Sequence, residues 1–169
     1  MPGIKILLVE DDWIIAKEIA CTLQDFGFEI VGQVESGEEA IAIISQLKPD
    51  IILLDIGLSG EINGIETAKR IKKEFGIPFI FLTAQADLVT IERAKLMEPY
   101  AYLVKPVSSE TLYSTIEIAL HNAAQKQTEP WPIVPPLKEG LTMEDGIFVK
   151  HHKRLEKILL KNKTPALLT

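Results

Sequence analysis

The sequence contains a single cysteine, Cys21, among its 169 residues. An intrachain disulfide is therefore impossible, and the small secreted scaffolds that depend on several disulfides are excluded. Cys21 lies among apolar residues that recur at helical spacing. We expect it to serve as a small apolar residue on a helix face.

Long apolar runs are also missing. No stretch approaches the roughly 18 apolar residues that a transmembrane helix needs. The first residues enter a strand-like run without the basic segment and apolar stretch of a signal peptide. With 47% hydrophobic residues, the chain is long enough for one domain with a buried core and a tail. We therefore expect a cytoplasmic protein without membrane association.

The net charge of −6 is unevenly distributed along the chain. Residues 1–125 hold 10 Lys and Arg against 19 Asp and Glu, whereas residues 126–169 hold 8 against 5. An acidic body with a weakly basic tail suggests two modules with different partners. The small positive charge of the tail gives little support for nucleic-acid binding by itself.

Short apolar runs alternate with segments of helical period over the first 124 residues. The runs predict five strands, at 4–9, 28–34, 50–55, 77–82 and 100–104, and helices follow each of them, including 64–75 and 86–97. Parallel strands need crossover connections, and right-handed crossovers place helices on both faces of a sheet. The alternation therefore predicts an α/β fold, a (βα)5 doubly wound parallel sheet.

Several polar residues are placed to begin helices. Asp12 is interpreted as an N-cap of the first helix, and Ser36 with Glu39 predicts a capping box at the second. Ser108 or Ser109 begins the last helix.

The composition changes at about residue 125. Four prolines crowd a seven-residue window, at positions 130, 132, 135 and 136, and predict an extended linker over 125–140. In the segment that follows, 146–150 is predicted as a strand, and 154–160 as a second strand or a short helix. No internal repeat is present.

The residues with useful chemistry follow the predicted strands. Glu10 and Asp11 follow the first strand and Asp55 the third, while Thr83 and Lys105 follow the fourth and fifth. In open parallel sheets ligands bind beyond the carboxyl ends of the strands, so these groups are expected to converge. Clustered carboxylates repel one another, and Mg²⁺, which prefers oxygen ligands, relieves that repulsion. The sequence thus predicts a site for Mg²⁺ and a phosphate-like group.

In this order the motifs resemble the receiver domain of response regulators, over residues 4–122. The matching segments are 8–12 (Leu-Val-Glu-Asp-Asp), 53–56 (Leu-Leu-Asp-Ile), 82–84 (Leu-Thr-Ala) and 102–106 (Tyr-Leu-Val-Lys-Pro). The resemblance implies a flavodoxin-like sheet of strand order 2-1-3-4-5 and a cis Lys105-Pro106 peptide. It also implies that Asp55 is the phosphoacceptor and that Lys105 contacts the phosphoryl group. Asp11, Asp55 and the Gly57 carbonyl would bind Mg²⁺ directly, and Glu10 would act through water. Thr83 and Tyr102 would form a switch pair.

The sequence departs from the family pattern at two places. The loop after Asp55 lacks the usual proline and looks one residue longer, so its geometry is open. Glu98-Pro99 stands where the family has a small pair with glycine, and we expect it to alter the turn before the fifth strand.

The tail resembles a second family. Residues 141–158 are similar to the opening strands of a LytTR-type DNA-binding domain, which is much longer than what remains here. The resemblance implies a receiver domain at 1–124, a proline-rich linker at 125–140 and a partial LytTR-like segment at 141–169. DNA binding is expected only for a full-length form.

The first resemblance implies a two-component response regulator that a sensor histidine kinase phosphorylates on Asp55, with transcription as its output. The alternative is a stand-alone receiver that acts by phosphotransfer or by protein–protein interaction. In neither case is it an enzyme, beyond catalysing its own phosphorylation and dephosphorylation. A homodimer is expected through the face of the fourth helix, fifth strand and fifth helix, with these residues: Ile91, Lys95, Tyr102, Glu110 and Tyr113.

Two other classes fit the residues less well. A metal-dependent phosphatase on a similar sheet would need a second acidic residue two positions after Asp55, where the chain has Gly57. A flavin-binding module would need a loop of Ser, Thr and Gly after the first strand, and that loop is acidic here.

Overall fold

The structure, a computed structural model, describes residues 3–125 and 147–149. In this part of the chain the elements are β1 (Lys5–Val9), α1 (Trp13–Asp25), β2 (Glu29–Val34), α2 (Gly37–Leu47), β3 (Ile51–Leu54), α3 (Gly64–Glu74), β4 (Phe79–Thr83), α4 (Leu88–Lys95), β5 (Ala101–Val104), α5 (Ser109–Gln125) and β6 (Ile147–Val149). The strands form one sheet of order β2-β1-β3-β4-β5-β6. The pairs from β2 to β5 are parallel, so the predicted fold and strand order are confirmed.

The side chains of the strands alternate between two apolar layers. On one face, residues such as Ile6, Leu53 and Leu103 pack against α1 and α5. On the other face, residues such as Leu7, Leu54 and Phe81 pack against α2, α3 and α4. Every residue of β3 and β4 is buried, as expected for central strands covered by helices on both sides.

The helix ends follow the predicted caps. Asp12 accepts hydrogen bonds from the N–H groups of Ile14 and Ile15 at 2.9 and 3.2 Å. Ser36 accepts from Glu39 N–H, but the Glu39 carboxylate accepts from Glu35 N–H, one residue before the position that a capping box requires. Of the two candidates at α5, Ser108 caps the helix. Its side chain accepts a hydrogen bond from the N–H of Thr111.

Three local predictions need correction. Strand β4 lies at Phe79–Thr83, two residues from the predicted start, and helix α4 is limited to Leu88–Lys95. The late start of α4 follows from Asp87, which accepts from Thr90 N–H and caps the helix. Cys21 is exposed on α1 and does not pack into the core.

The turn before β5 contains the unusual Glu98-Pro99 pair. Glu98 has a φ of 55°, in the left-handed region, and its N–H donates to the Lys95 carbonyl. Its carboxylate pairs with Lys72 of α3. The turn before β5 therefore contains a left-handed residue other than glycine, three residues after the end of α4.

Strand β6 lies within the segment predicted as a strand at 146–150. It pairs antiparallel with β5, with Phe148 opposite Tyr102. The other predictions for the tail fall on residues 126–146 and 150–169, which lie outside the described residues. In the described part, no helix is long and apolar enough to cross a membrane.

Candidate metal and phosphoryl site

Backbone hydrogen bonds fix the residues that follow the strands. Glu10 N–H donates to Val34 carbonyl, and Asp55 N–H donates to Val9 carbonyl, each at 3.0 Å. Lys105 N–H donates to the carbonyl of Thr83 at 2.9 Å. The sheet pairing therefore continues one residue past the strands and brings the predicted groups to one edge.

Three carboxylates form a cluster at this edge. Glu10, Asp11 and Asp55 each offer an oxygen, and these atoms lie within 4.8 Å of one another. Glu10 and Asp55 are only 3% and 8% exposed. A set of closely spaced carboxylate oxygens suits a hard divalent cation such as Mg²⁺. The donor set therefore fits the predicted metal.

Lys105 provides the positive charge of the cluster. Its ammonium forms an ion pair with Glu10 and lies 3.3 Å from Oδ2 of Asp55. Burial raises the pKa of the Glu10 carboxyl, and the charge of Asp55 adds to this, while the hydrogen bond from Lys105 opposes it. The sequence placed Lys105 at the same edge as these carboxylates, but its contact with Glu10 was not predicted.

Helix α3 packs closely against the backbone of Asp55. A Cβ at position 64 would overlap the carbonyl oxygen of Asp55, so only glycine lets α3 begin this near the site. The N–H of Gly57 donates to Oδ1 of Asp55 at 3.1 Å. Asp55 thus has one oxygen held by the following loop and the other facing Lys105.

Ser59 is a site residue that sequence reasoning missed. Its hydroxyl donates a hydrogen bond to Oδ2 of Asp11. Ser59 lies in the loop after Asp55, whose added length left the course of its backbone open, so no sequence pattern indicated this contact.

Thr83 and Tyr102, the predicted switch pair, are joined through the backbone of Gln85. The N–H of Gln85 donates to Thr83 Oγ1 at 3.2 Å, and the Tyr102 hydroxyl donates to the Gln85 carbonyl. Tyr102 is only 4% exposed. Burial, with the charges of Asp87 and Asp55, raises its pKa to about 12. The ring of Tyr102 therefore lies inside the protein in this structure, and the link through Gln85 was not predicted.

The peptide between Lys105 and Pro106 is cis, as predicted.

Some of the residues predicted for the dimer face are not exposed on the surface of the protein. Ile91 and Tyr102 are buried. The ring of Tyr113 stacks on Phe26 and Phe28, with centroids 4.8 and 5.8 Å away, and so faces α1. Ile91 and Tyr102 are therefore not available to a partner on this surface, and the dimer itself stays a prediction.

Comparison with known proteins adds to this geometry. Residues 6–117 match the family model for the response regulator receiver domain. The chain belongs to the response regulator receiver family. All seven predicted site positions of this receiver domain lie inside the matched range: Glu10, Asp11, Asp55, Gly57, Thr83, Tyr102 and Lys105.

The known proteins that are similar in sequence to this chain are longer than it. The transcriptional regulatory protein PdtaR of Mycobacterium tuberculosis is 34% identical over 116 residues, which cover 69% of this chain and 56% of that protein. The transcriptional regulatory protein YdfI of Bacillus subtilis is 34% identical over 118 residues, covering 69% and 54%. The chain thus spans about half the length of these relatives.

Solved receiver domains have the same fold. The signal receiver domain of a modulated diguanylate cyclase from Desulfovibrio desulfuricans is 38% identical with a TM-score of 0.70, covering 72% of this chain and 97% of that one. A CheY-like receiver domain protein from Methanospirillum hungatei is 25% identical with a TM-score of 0.67, covering 73% and 98%. The LytTR-like resemblance lies outside the residues that match the receiver family.

Proposed function

We propose that this receiver domain is a two-component switch, phosphorylated on Asp55 by the phosphohistidine of a sensor histidine kinase. The observation that carries the proposal is the position of Asp55, a buried carboxylate between Lys105 and the acidic pair Glu10 and Asp11. A carboxylate nucleophile, an oxygen-rich metal site and a fixed cation are the parts that phosphoryl transfer needs.

The chemistry follows from these contacts. A carboxylate oxygen of Asp55 forms the new bond to phosphorus, the phosphorus–nitrogen bond of the phosphohistidine breaks, and its electron pair returns to the imidazole. Lys105 offsets the negative charge on the transferred oxygens. Asp11, Asp55 and the Gly57 carbonyl would bind Mg²⁺, with Glu10 acting through water. The bound ion would supply further positive charge to the phosphoryl oxygens.

The switch would act through Gln85. A phosphoryl group on Asp55 adds charge and acceptor oxygens, and the hydroxyl of Thr83 would turn toward it. Because Thr83 and Tyr102 both bind the backbone of Gln85, that movement would change the position of Gln85 and the environment of Tyr102. In this way the added charge on Asp55 would shift the balance between two positions of Gln85 and Tyr102.

The phosphoryl donor is proposed to be a protein because apolar side chains lie beside the site. Trp13 and Ile14, at the start of α1 and directly after the acidic residues, are 64% and 60% exposed. Exposed aromatic and aliphatic residues beside a reactive group suit a protein partner better than a small molecule.

The output is proposed to be transcription regulation in a full-length form. PdtaR and YdfI are named transcriptional regulatory proteins, and MtrA of Mycobacterium leprae, 28% identical over 125 residues, is named a DNA-binding response regulator. The division into receiver 1–124, linker 125–140 and LytTR-like segment 141–169 belongs to this proposal.

A stand-alone receiver remains the second candidate, and β6 favours it. This strand comes from the tail but pairs with β5 of the receiver sheet, which does not suit an independent DNA-binding module. A homodimer through the α4–β5–α5 face is part of the first candidate, and it would have to accommodate β6 at that edge.

Phosphorylation is tested by incubating the protein with acetyl phosphate and Mg²⁺ and measuring its intact mass. We expect one added phosphoryl group, absent in Asp55→Asn and after chelation of Mg²⁺, and retained in Asp25→Asn, a control at the end of α1. An adduct that persists in Asp55→Asn would overturn the assignment. So would the absence of both an adduct and a beryllofluoride complex in the wild type.

A further inference from the structure

One carboxylate outside the cluster reaches the loop that follows Asp55. Glu38 lies in the first turn of α2, and its Oε1 accepts a hydrogen bond of 2.9 Å from the backbone N–H of Ile62. Ile62 belongs to residues 56–63, here named the β3–α3 loop. The same loop carries Gly57 and Ser59, which contact the site carboxylates. Helix α2 and the site thus share one loop.

The second oxygen of Glu38 also faces this loop. Its Oε2 is buried and has no hydrogen-bond partner in the described part of the chain, and a Cβ at position 60 would overlap it. The pKa of Glu38 is lowered by its own N–H and by the N–H groups of Ile62 and Glu61, which stabilise the charged form. The second half of the loop, from Gly60 to Ile62, therefore packs against a charged carboxylate.

Helix α2 is itself fixed against α3, so Glu38 is a rigid support. A Cβ at Gly37 would overlap Oγ1 of Thr67 on α3. The Thr67 hydroxyl donates to the carbonyl of Asn63 at 2.8 Å, and the Asn63 side chain caps α3. The last two residues of the loop are thus held by Glu38 on α2, through Ile62, and by the cap of α3, through Asn63.

The start of the loop is anchored by Ile56 and Leu58, whose side chains are buried in the core, whereas residues 59–61 are exposed. The loop contains two glycines and no proline, and glycine-containing segments have the most conformational freedom to lose on ordering. Contacts made by the exposed half of the loop must therefore decide where Ser59 lies.

We propose that Glu38 is a positioning residue for the metal and phosphoryl site, which holds the second half of the β3–α3 loop so that Ser59 lies against Asp11. The inference rests on the proposed function of Asp55. Residues that orient metal ligands typically change metal affinity by about 10- to 100-fold when they are replaced. Glu38 contacts the loop and not a ligand itself, so we expect its replacement to weaken Mg²⁺ affinity by about 10-fold, the lower end of this range.

The test measures Mg²⁺ binding by titration calorimetry and, separately, the Mg²⁺ dependence of phosphorylation by acetyl phosphate. For Glu38→Ala we expect about 10-fold weaker Mg²⁺ binding, with the phosphorylation rate largely restored at saturating Mg²⁺. Glu38→Gln keeps an acceptor for Ile62 N–H and should recover most of the affinity. Glu39→Ala, in the same helical turn but bonded to Glu35 N–H, is the matched control and should match the wild type.

A second variant keeps the test decisive if Glu38→Ala folds poorly. Gly60→Ala places a methyl group against Glu38 Oε2 and should weaken Mg²⁺ binding in the wild type. In the Glu38→Ala background the overlap is gone, so the same substitution should have a smaller effect, a coupling expected only for groups in contact.

The outcomes separate the two proposals. Unchanged Mg²⁺ affinity in Glu38→Ala, an equal loss in Glu39→Ala, or a lower maximal rate with unchanged Mg²⁺ dependence would each overturn the role of Glu38. If the wild type binds Mg²⁺ but takes up no phosphoryl group, the proposed function fails, while the binding constants still decide the role of Glu38. A wild type that binds no Mg²⁺ would overturn both.

Discussion

Lys105 faces Asp55 across the edge of the sheet, with its Nζ 3.3 Å from Oδ2 of Asp55. The same ammonium pairs with Glu10, so one cation serves two buried carboxylates that come from different strands. Because the backbone of Lys105 is fixed to Thr83 of β4, the position of this charge is set by the sheet and not by a loop. The site has a fixed positive centre before any phosphoryl group arrives.

Removal of this charge should slow phosphorylation of Asp55. In Lys105→Met we expect the rate with acetyl phosphate to fall by about 100-fold, the usual effect of losing one group that stabilises transition-state charge. The rate is measured by intact mass against time. Lys69→Met, on the exposed surface of α3, is the control. A Lys105→Met variant that reacts at the wild-type rate would show that Lys105 is structural.

The hydroxyl of Tyr102 should contribute to stability in a pH-dependent way. Its pKa is raised to about 12 from 10.0, so the unfolded chain loses this proton more readily than the folded one. The contribution of this hydroxyl to the free energy of unfolding is complete below about pH 10 and is lost as the pH rises toward 12. Tyr102→Phe also loses the hydrogen bond to Gln85, worth about 1 kcal/mol.

Urea unfolding below pH 10 and at about pH 11 checks this sign. The wild type should be more stable than Tyr102→Phe below pH 10, and the difference should shrink at the higher pH. Tyr113→Phe, on an exposed ring of α5, controls for the loss of a hydroxyl. A difference that grows with pH would contradict the prediction.

The cap of α4 should matter for acid stability. Asp87 accepts from Thr90 N–H at 2.9 Å, and hydrogen bonds from the backbone and hydroxyl of Thr90 lower its pKa. The stabilisation is therefore present above the ordinary Asp value and is lost as the pH falls through the lowered pKa. Asp87→Ala should lower Tm by a few degrees, on the order expected for a lost cap.

Thermal unfolding at neutral pH and in acid tests this cap. The difference in Tm between wild type and Asp87→Ala should be largest at neutral pH and should narrow in acid. Asp25→Ala, at the last residue of α1, should leave Tm close to that of the wild type at both pH values. An equal difference at both pH values would mean that the charge of Asp87 does not contribute.

The sequence predicted the sheet because the apolar runs are short, regular and separated by helical segments. It predicted the site because strand ends in a parallel sheet meet at one edge, which places Glu10, Asp55 and Lys105 together without knowledge of any loop. The contacts of Ser59, Gln85 and Glu38 could not be predicted in this way. Each depends on the course of a loop backbone, and local sequence patterns do not determine that course.

Strand β6 gives a prediction about the outer edge of the sheet. Its backbone pairs with β5, Phe148 lying opposite Tyr102, so the amide groups of β5 have a ladder partner on their outer side. Proline lacks the N–H that a ladder needs. We therefore expect Phe148→Pro to raise hydrogen–deuterium exchange at residues 101–104, as measured by mass spectrometry of peptides from that region.

Peptides from β3 provide the internal control, because this strand is paired on both sides by β1 and β4 and should exchange equally slowly in both proteins. Faster exchange confined to β5 would place the tail on the receiver sheet in solution and favour the stand-alone candidate. Exchange at 101–104 that is already fast in the wild type, and unchanged by Phe148→Pro, would leave the edge of β5 open to a second receiver. The homodimer would then be the better explanation of how the switch reaches its output.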